Sequence, residues 1–102
     1  GLKAVRPQKT CASVDDACRK IIEEHSYGPH FIHSTGHGIG LDVHENPSIS
    51  GKSKEKLKKD MAITVEPGIY IPKRFGVRIE DSLIVKDRAT VMHKFTKDLI
   101  VI

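Results

Sequence analysis

Apolar residues in the first quarter of the chain recur at intervals of three and four. Cys11, Val14, Cys18, Ile21 and Ile22 form one stripe, and Arg19, Lys20, Glu23 and Glu24 are polar. That spacing predicts an amphipathic helix, opened by Thr10 as N-cap and ended by Gly28. Ahead of it, Leu2 and Val5 are spaced like the end of a helix that Pro7 stops, so the chain reads as beginning inside an element, as a fragment would. After Gly28 the period changes. HFIHSTGHGIGLDVHENP holds too much glycine for a stable helix and reads as extended segments in close approach. Asn46 to Ser53 is a predicted loop, and SKEKLKKD a short helical or irregular piece. MAITVEPGIYIP is a β-branched strand run, interrupted at Pro67-Gly68 and closed by Pro72. GVRIEDSLIVK is a second strand run. ATVMHKFTKDLIVI ends the chain, its last four residues expected to form or cover a sheet edge. A helix followed by several strands, without internal repeats, predicts an α+β fold with an antiparallel sheet and a flanking helix.

Composition narrows the class. At 102 residues, the chain suffices for one small domain or half of a larger one. No apolar run approaches the roughly 18 residues of a membrane span, and no segment has the order of a signal peptide. The expectation is a soluble cytoplasmic protein with no membrane partner. Net charge is +4, with Lys52, Lys54, Lys56, Lys58 and Lys59 interleaved with Glu55 and Asp60. Without an aromatic platform or a nucleic-acid motif, this run reads as a solvated loop, and no nucleic-acid partner is expected. Cys11 and Cys18 lie about 10.5 Å apart along a helix, too far for a disulfide. They read as buried thiols on one face, in keeping with a reducing compartment.

The chemistry concentrates in the middle. His33, His37 and His44 fall within HSTGHGIGLDVHE, Glu66 within TVEPGIYIP, and Glu80 within GVRIED. These residue types bind divalent metals and move protons. On one strand, His33 and His37 would share a face about 13 Å apart, too far for one ion. One ligand plus one substrate-contacting histidine is the more natural reading. Gly36, Gly38 and Gly40 clear space around His37 and allow close approach or unusual dihedrals. Glu66 and Glu80 flank the turn Pro72-Lys73-Arg74-Phe75-Gly76. A hairpin centred on Lys73 would set them face to face, with Cβ atoms about 5 Å apart. Like charges so placed need a cation between them. Arg78 shares the face of Glu80 and could neutralise part of that charge. A surface ion pair on an exposed face is the competing reading of the same residues.

In combination, HSTGHGIGLDVHE, TVEPGIYIP and GVRIED resemble the C-terminal half of a Xaa-Pro dipeptidase (prolidase). These enzymes belong to the pita-bread metallopeptidases, with methionine aminopeptidase, aminopeptidase P and creatinase. The resemblance extends over nearly the whole chain, from VRPQKTCASVDDACRKIIEE to KFTKDLIVI. It implies that residues 1–102 are the second half of a pita-bread catalytic domain. It also implies hydrolysis of Xaa-Pro peptides at a centre of two divalent cations (Mn, Co or Zn), with Mn-like hard ions suited to a carboxylate-rich set. By this resemblance His37, Glu66 and Glu80 are metal ligands, and Glu66 is also an acid/base. His33 and His44 contact substrate and handle protons, and Arg78 stands beside the site. Asp81 and Glu45 are supporting or structural. No residue is assigned to an organic cofactor.

The pattern departs from the family in one respect that bears on activity. The family's centre also uses two aspartates from the first half of the domain. Asp15, Asp16 and Asp42 do not resemble that pair, so three of five ligands are present and the chain alone is expected to be inactive. Gln8, Asp60 and Phe75 stand where glycine is usual. The expected partners are a proline-containing peptide substrate and either a second copy of the chain or the N-terminal half, packed on an exposed apolar face. The alternatives are aminopeptidase P specificity, a non-catalytic pita-bread binding protein, and a small module holding one metal ion.

Overall fold

The computed structural model describes residues 1–102. Helix α1 spans Cys11–Glu24, as the apolar stripe predicts. The Thr10 hydroxyl accepts from Ser13 N–H at 3.2 Å, and Ser13 Oγ donates back to the Thr10 carbonyl at 2.7 Å. Such a cap contributes about 1 kcal/mol. The helix stops before Gly28. Ser26 adopts a left-handed φ of 65°. Its N–H donates to Glu23 O, and the Tyr27 N–H donates to Ile22 O, the Schellman closure that usually employs glycine. Gly28–His30 then forms a separate 3-10 turn, as does Leu2–Ala4.

Seven strands follow: β1 (Gly36–Gly38), β2 (Glu45–Ile49), β3 (Ala62–Val65), β4 (Gly68–Ile71), β5 (Phe75–Arg78), β6 (Asp81–Ile84) and β7 (Thr90–Val91). Five form one sheet in the order β2-β1-β3-β6-β7, and β4 pairs with β5 alone. Every pairing is antiparallel. Helix α1 packs against β2. Between them lies a core in which Cys11, Val14 and Cys18 meet Ile49, Ile63, Val65 and Leu83. Each large aliphatic side chain so buried contributes about 1.5–3 kcal/mol. Both cysteines are buried and unpaired, and burial pushes the Cys11 thiol up, away from the thiolate form.

The β3/β6 and β4/β5 ladders share one centre. Val65 pairs with Asp81 and Gly68 with Arg78, both symmetrically about Lys73. Between the ladders, Ile79 N–H donates to Pro67 O at 3.3 Å. The two runs thus make one long hairpin, interrupted at Glu66-Pro67 and Ile79-Glu80.

Three local expectations differ from the structure. Leu99–Ile102 join no strand and are exposed. The sheet edge is taken by β7, and the tail is held instead by Lys97, whose Nζ lies 2.5 Å from Asp81 Oδ2. Residues 46–49 of the expected loop belong instead to β2, while the lysine-rich segment is irregular, with one bridge from Lys56 to Thr10. None of the glycines has a positive φ, whereas Gln8, Ser26, Asp60 and Lys73 do. Glycine therefore serves close approach here. A Cβ on Gly36 would strike the Thr64 carbonyl, and one on Gly38 the Asn46 carbonyl.

Candidate functional site

His37 lies on β1, where the register against β2 shifts between His37 and Gly38. Its N–H donates to Thr64 Oγ1 at 3.0 Å, tying β1 to β3. Its ring Nδ1 lies 2.8 Å from Gly38 O. A carbonyl only accepts, so Nδ1 carries the proton. Nε2, the other ring nitrogen, faces Glu66 Oε1 at 3.1 Å. Thr64 and Glu66, two apart on an extended run, share a face, and the Thr64 hydroxyl donates to Glu66 Oε1 at 2.8 Å. The Glu66 side chain is 13% exposed.

Across the hairpin, Arg78 bridges the two carboxylates. Its Nε lies 3.6 Å from Glu66 Oε2 and a terminal nitrogen 3.7 Å from Glu80 Oε2. The expected opposition of Glu66 and Glu80 follows from the shared centre at Lys73, and a guanidinium sits where like charges would otherwise meet. His44 is exposed, with its ring centroid 4.4 Å from that of His37. Both line an open cleft of about 440 Å³ with Asp42, Glu45, Asn46 and Ser48.

His33 is placed differently from expectation. It lies outside β1, in an irregular segment, so it and His37 do not share a strand. Its Nδ1 donates to Ser34 O at 2.7 Å. That leaves Nε2 to accept from the Tyr70 hydroxyl at 2.9 Å. Phe31 and Tyr70 both pack edge-on against the ring, at 5.2 and 5.3 Å. The structure thus yields a His37–Glu66–Arg78–Glu80 chain with His44 tilted against His37, and a separate His33–Tyr70 pair. No three His, Cys, Asp or Glu side chains converge as a ready metal cage.

The donor chemistry nevertheless fits a cation. Between His37 Nε2 and Glu66 Oε1 two acceptors face each other unless a proton or a metal ion lies there. A histidine whose other nitrogen donates to a carbonyl is oriented as metal-ligating histidines are.

Three supporting residues were not singled out in the sequence. Thr64 was readable from its period-two relation to Glu66. Tyr70 carried no signal beyond strand composition. Asp15 occupies the helical stripe between Cys11 and Cys18, so its burial was implied by spacing. There it is fully buried and paired with Arg19 at 2.9 Å. Burial pushes the Asp15 carboxyl up, but hydrogen bonds from Arg19 and Thr35 outweigh it and hold the group below the usual carboxylate range.

Solved structures place this architecture among the prolidases. The chain overlays the Xaa-Pro dipeptidase from Bacillus anthracis with a TM-score of 0.96 at 45% identity, covering 99% of this chain and 29% of that one. It overlays the X-Pro aminopeptidase from Thermotoga maritima MSB8 with a TM-score of 0.94 at 37% identity, covering 99% and 29%. It is 50% identical over 86 residues to the Xaa-Pro dipeptidase of Pyrococcus furiosus, 84% of this chain and 25% of that protein. The fold is therefore that of the pita-bread metallopeptidases, antiparallel sheet and flanking helix together. Residues 1–87 match the metallopeptidase family M24, and the chain belongs to that family. It spans between a quarter and a third of the length of these relatives. No helix is long and apolar enough to cross a membrane.

Proposed function

We propose that the protein carrying this chain is a cytoplasmic Xaa-Pro dipeptidase, with residues 1–102 as the second half of its catalytic domain. The observation that carries this reading is the His37–Glu66 contact at 3.1 Å, in which Nδ1 donates to Gly38 O and leaves Nε2 facing the carboxylate. His37 Nε2, Glu66 and Glu80 would hold divalent cations, together with two aspartates from outside this chain. Two such ions (Mn, Co or Zn) would acidify a bound water and polarise the scissile carbonyl.

The chain's own residues divide the remaining work. Glu66, with Oε1 fixed by Thr64, takes and returns a proton at its carboxylate. Arg78 offsets the charge of Glu66 and Glu80 and keeps both side chains on one face. His33, held by Ser34 and Tyr70, and His44, exposed beside His37, meet the proline-containing substrate and stabilise charge as the peptide bond breaks. With three ligands of five, the 102-residue chain alone is inactive.

The apolar surface formed by Ile22, Pro67, Ile69, Val77 and Ile79 supports packing against the first half of the domain, or against a second copy. Aminopeptidase specificity is the second reading, favoured by the 0.94 overlay on the Thermotoga protein. Between these two solved structures the identity is higher to the dipeptidase, 45% against 37%, which supports the first.

The test is an assay of the full-length protein, stripped with chelator and reloaded with Mn, Co or Zn. Xaa-Pro dipeptides should be cleaved in preference to longer peptides with proline second, and His37→Ala or Glu80→Gln should abolish turnover. Preference for the longer peptides selects the aminopeptidase reading. Inactivity with all three metals refutes both.

A further inference from the structure

His33, His37 and Glu66 come from three separate segments, and one buried carboxylate reaches all three through short links. Asp15 on α1 accepts at Oδ2 from Arg19 Nε at 2.9 Å. At Oδ1 it accepts from Arg19 Nη2 at 3.2 Å, from Thr35 Oγ1 at 2.9 Å and from Thr35 N–H at 3.1 Å. Arg19 also donates through Nη1 to Phe31 O at 2.9 Å and through Nη2 to His33 O at 3.0 Å. Its guanidinium lies over the Phe31 ring, 4.2 Å from the centroid. Thr35 passes the constraint on: its carbonyl accepts from Glu66 N–H at 2.7 Å. Gly36 and His37 follow it directly.

We infer that Asp15 and Arg19 are positioning residues for the site, setting the backbone that presents His33, His37 and Glu66. They touch no reacting group. The segment from Phe31 to Ser34 belongs to no strand, and the sheet holds only its end, where Thr35 N–H also donates to Ile49 O of β2 at 2.9 Å. The planar fork of Arg19 fixes the rest, binding one carboxylate on one side and two carbonyls on the other. A lysine ammonium keeps the charge but cannot reproduce that geometry. Asp15 in turn orients the fork and Thr35 together. Fixed placement matters because a shift of about 1 Å in a reacting group costs about 100-fold in rate.

The kinetic part of this inference rests on the proposed peptidase reading; the geometric part does not. The test uses the full-length protein with Arg19→Lys, Thr35→Val and Thr35→Ser. Amide hydrogen exchange is measured residue by residue, alongside kcat and KM for an Xaa-Pro dipeptide with Mn. Arg19→Lys should lose about 10-fold or more protection at the Thr35 and Glu66 amides while β3 and β6 keep theirs. Its kcat should fall about 10- to 100-fold with KM within about twofold. Thr35→Val should show the same pattern more weakly, and Thr35→Ser, which keeps the hydroxyl, should match wild type. Should Arg19→Lys fail to fold, the Thr35→Val and Thr35→Ser comparison gives the same readout. Unchanged protection at Thr35 and Glu66 overturns the inference, as does a uniform loss across the sheet, the mark of a purely structural role. An inactive wild type would sink the peptidase reading, while the exchange pattern would still decide this one.

Discussion

The Thr64 hydroxyl holds the Glu66 carboxylate, donating to Oε1 at 2.8 Å while it accepts from the His37 N–H at 3.0 Å. One side chain therefore sets both partners of the contact on which the metal reading depends. Thr64→Val keeps the shape and β-branching but leaves the His37 N–H without an acceptor. Stability should fall by about 1–3 kcal/mol, read from urea unfolding. Mn affinity of the full-length protein, measured by calorimetry, should weaken about 10- to 100-fold, the usual cost of losing support behind a ligand. Thr64→Ser should restore most of both.

Tyr70→Phe removes the only side-chain donor to His33 Nε2 and leaves the Nδ1 bond to Ser34 O intact. The fold should lose about 1 kcal/mol. Turnover should fall while metal affinity stays the same, because His33 belongs to the substrate side of the site. A matching drop in metal affinity would join the His33–Tyr70 pair to the metal side instead.

Acid should weaken the Asp15 network. Its carboxyl lies below the ordinary value in the folded protein and near about 3.9 unfolded. A group depressed in this way stabilises fully above the unfolded value, and its contribution fades as pH falls through the folded one. Asp15→Asn should therefore cost about 1–3 kcal/mol at neutral pH, with Arg19's partial exposure keeping the loss below that of a fully buried pair. The gap to wild type should close as pH drops below about 4. A gap that stays constant with pH, in urea midpoints from pH 7 to 3, would contradict this.

Gln8 holds a φ of 69° and Asp60 one of 68°, at two of the three positions where the family pattern has glycine. A left-handed non-glycine residue costs about 1–2 kcal/mol, partly offset by the extra freedom glycine gives the unfolded chain. Gln8→Gly should therefore gain about 0.5–1 kcal/mol, and Gln8→Ala nothing. Asp60→Gly should gain less, because aspartate tolerates this region and its carboxylate pairs with Lys86 at 2.9 Å.

The α+β order, the helix from Thr10 and the hairpin register were legible because each rests on local spacing. Periodicity gave the helix, and turn residues counted outward from Lys73 gave Glu66 opposite Glu80. The candidate ligands were legible through motif resemblance. What was not legible depends on contacts distant in sequence. Tyr70 is 37 residues from His33, and nothing in GIYIP indicates that its hydroxyl points there. The helix end at Ser26 was hidden because serine is an uncommon left-handed closer, while the conspicuous Gly28 lay two residues on. The exposed Leu99–Ile102 misled because hydrophobicity alone names no partner.

The common centre of the two ladders has a practical consequence. Glu66 and Glu80 are aligned by their adjacency to Val65 and Asp81 at the sheet end, and the tip at Lys73 plays no part in that alignment. One residue inserted between Val65 and Glu66 would turn Glu66 to the opposite face. Residues inserted at Lys73 would only lengthen the loop. The tip is therefore a port: a fluorophore, an affinity tag or a longer natural loop can be carried there, a few residues from the chemistry, with the carboxylates still in step.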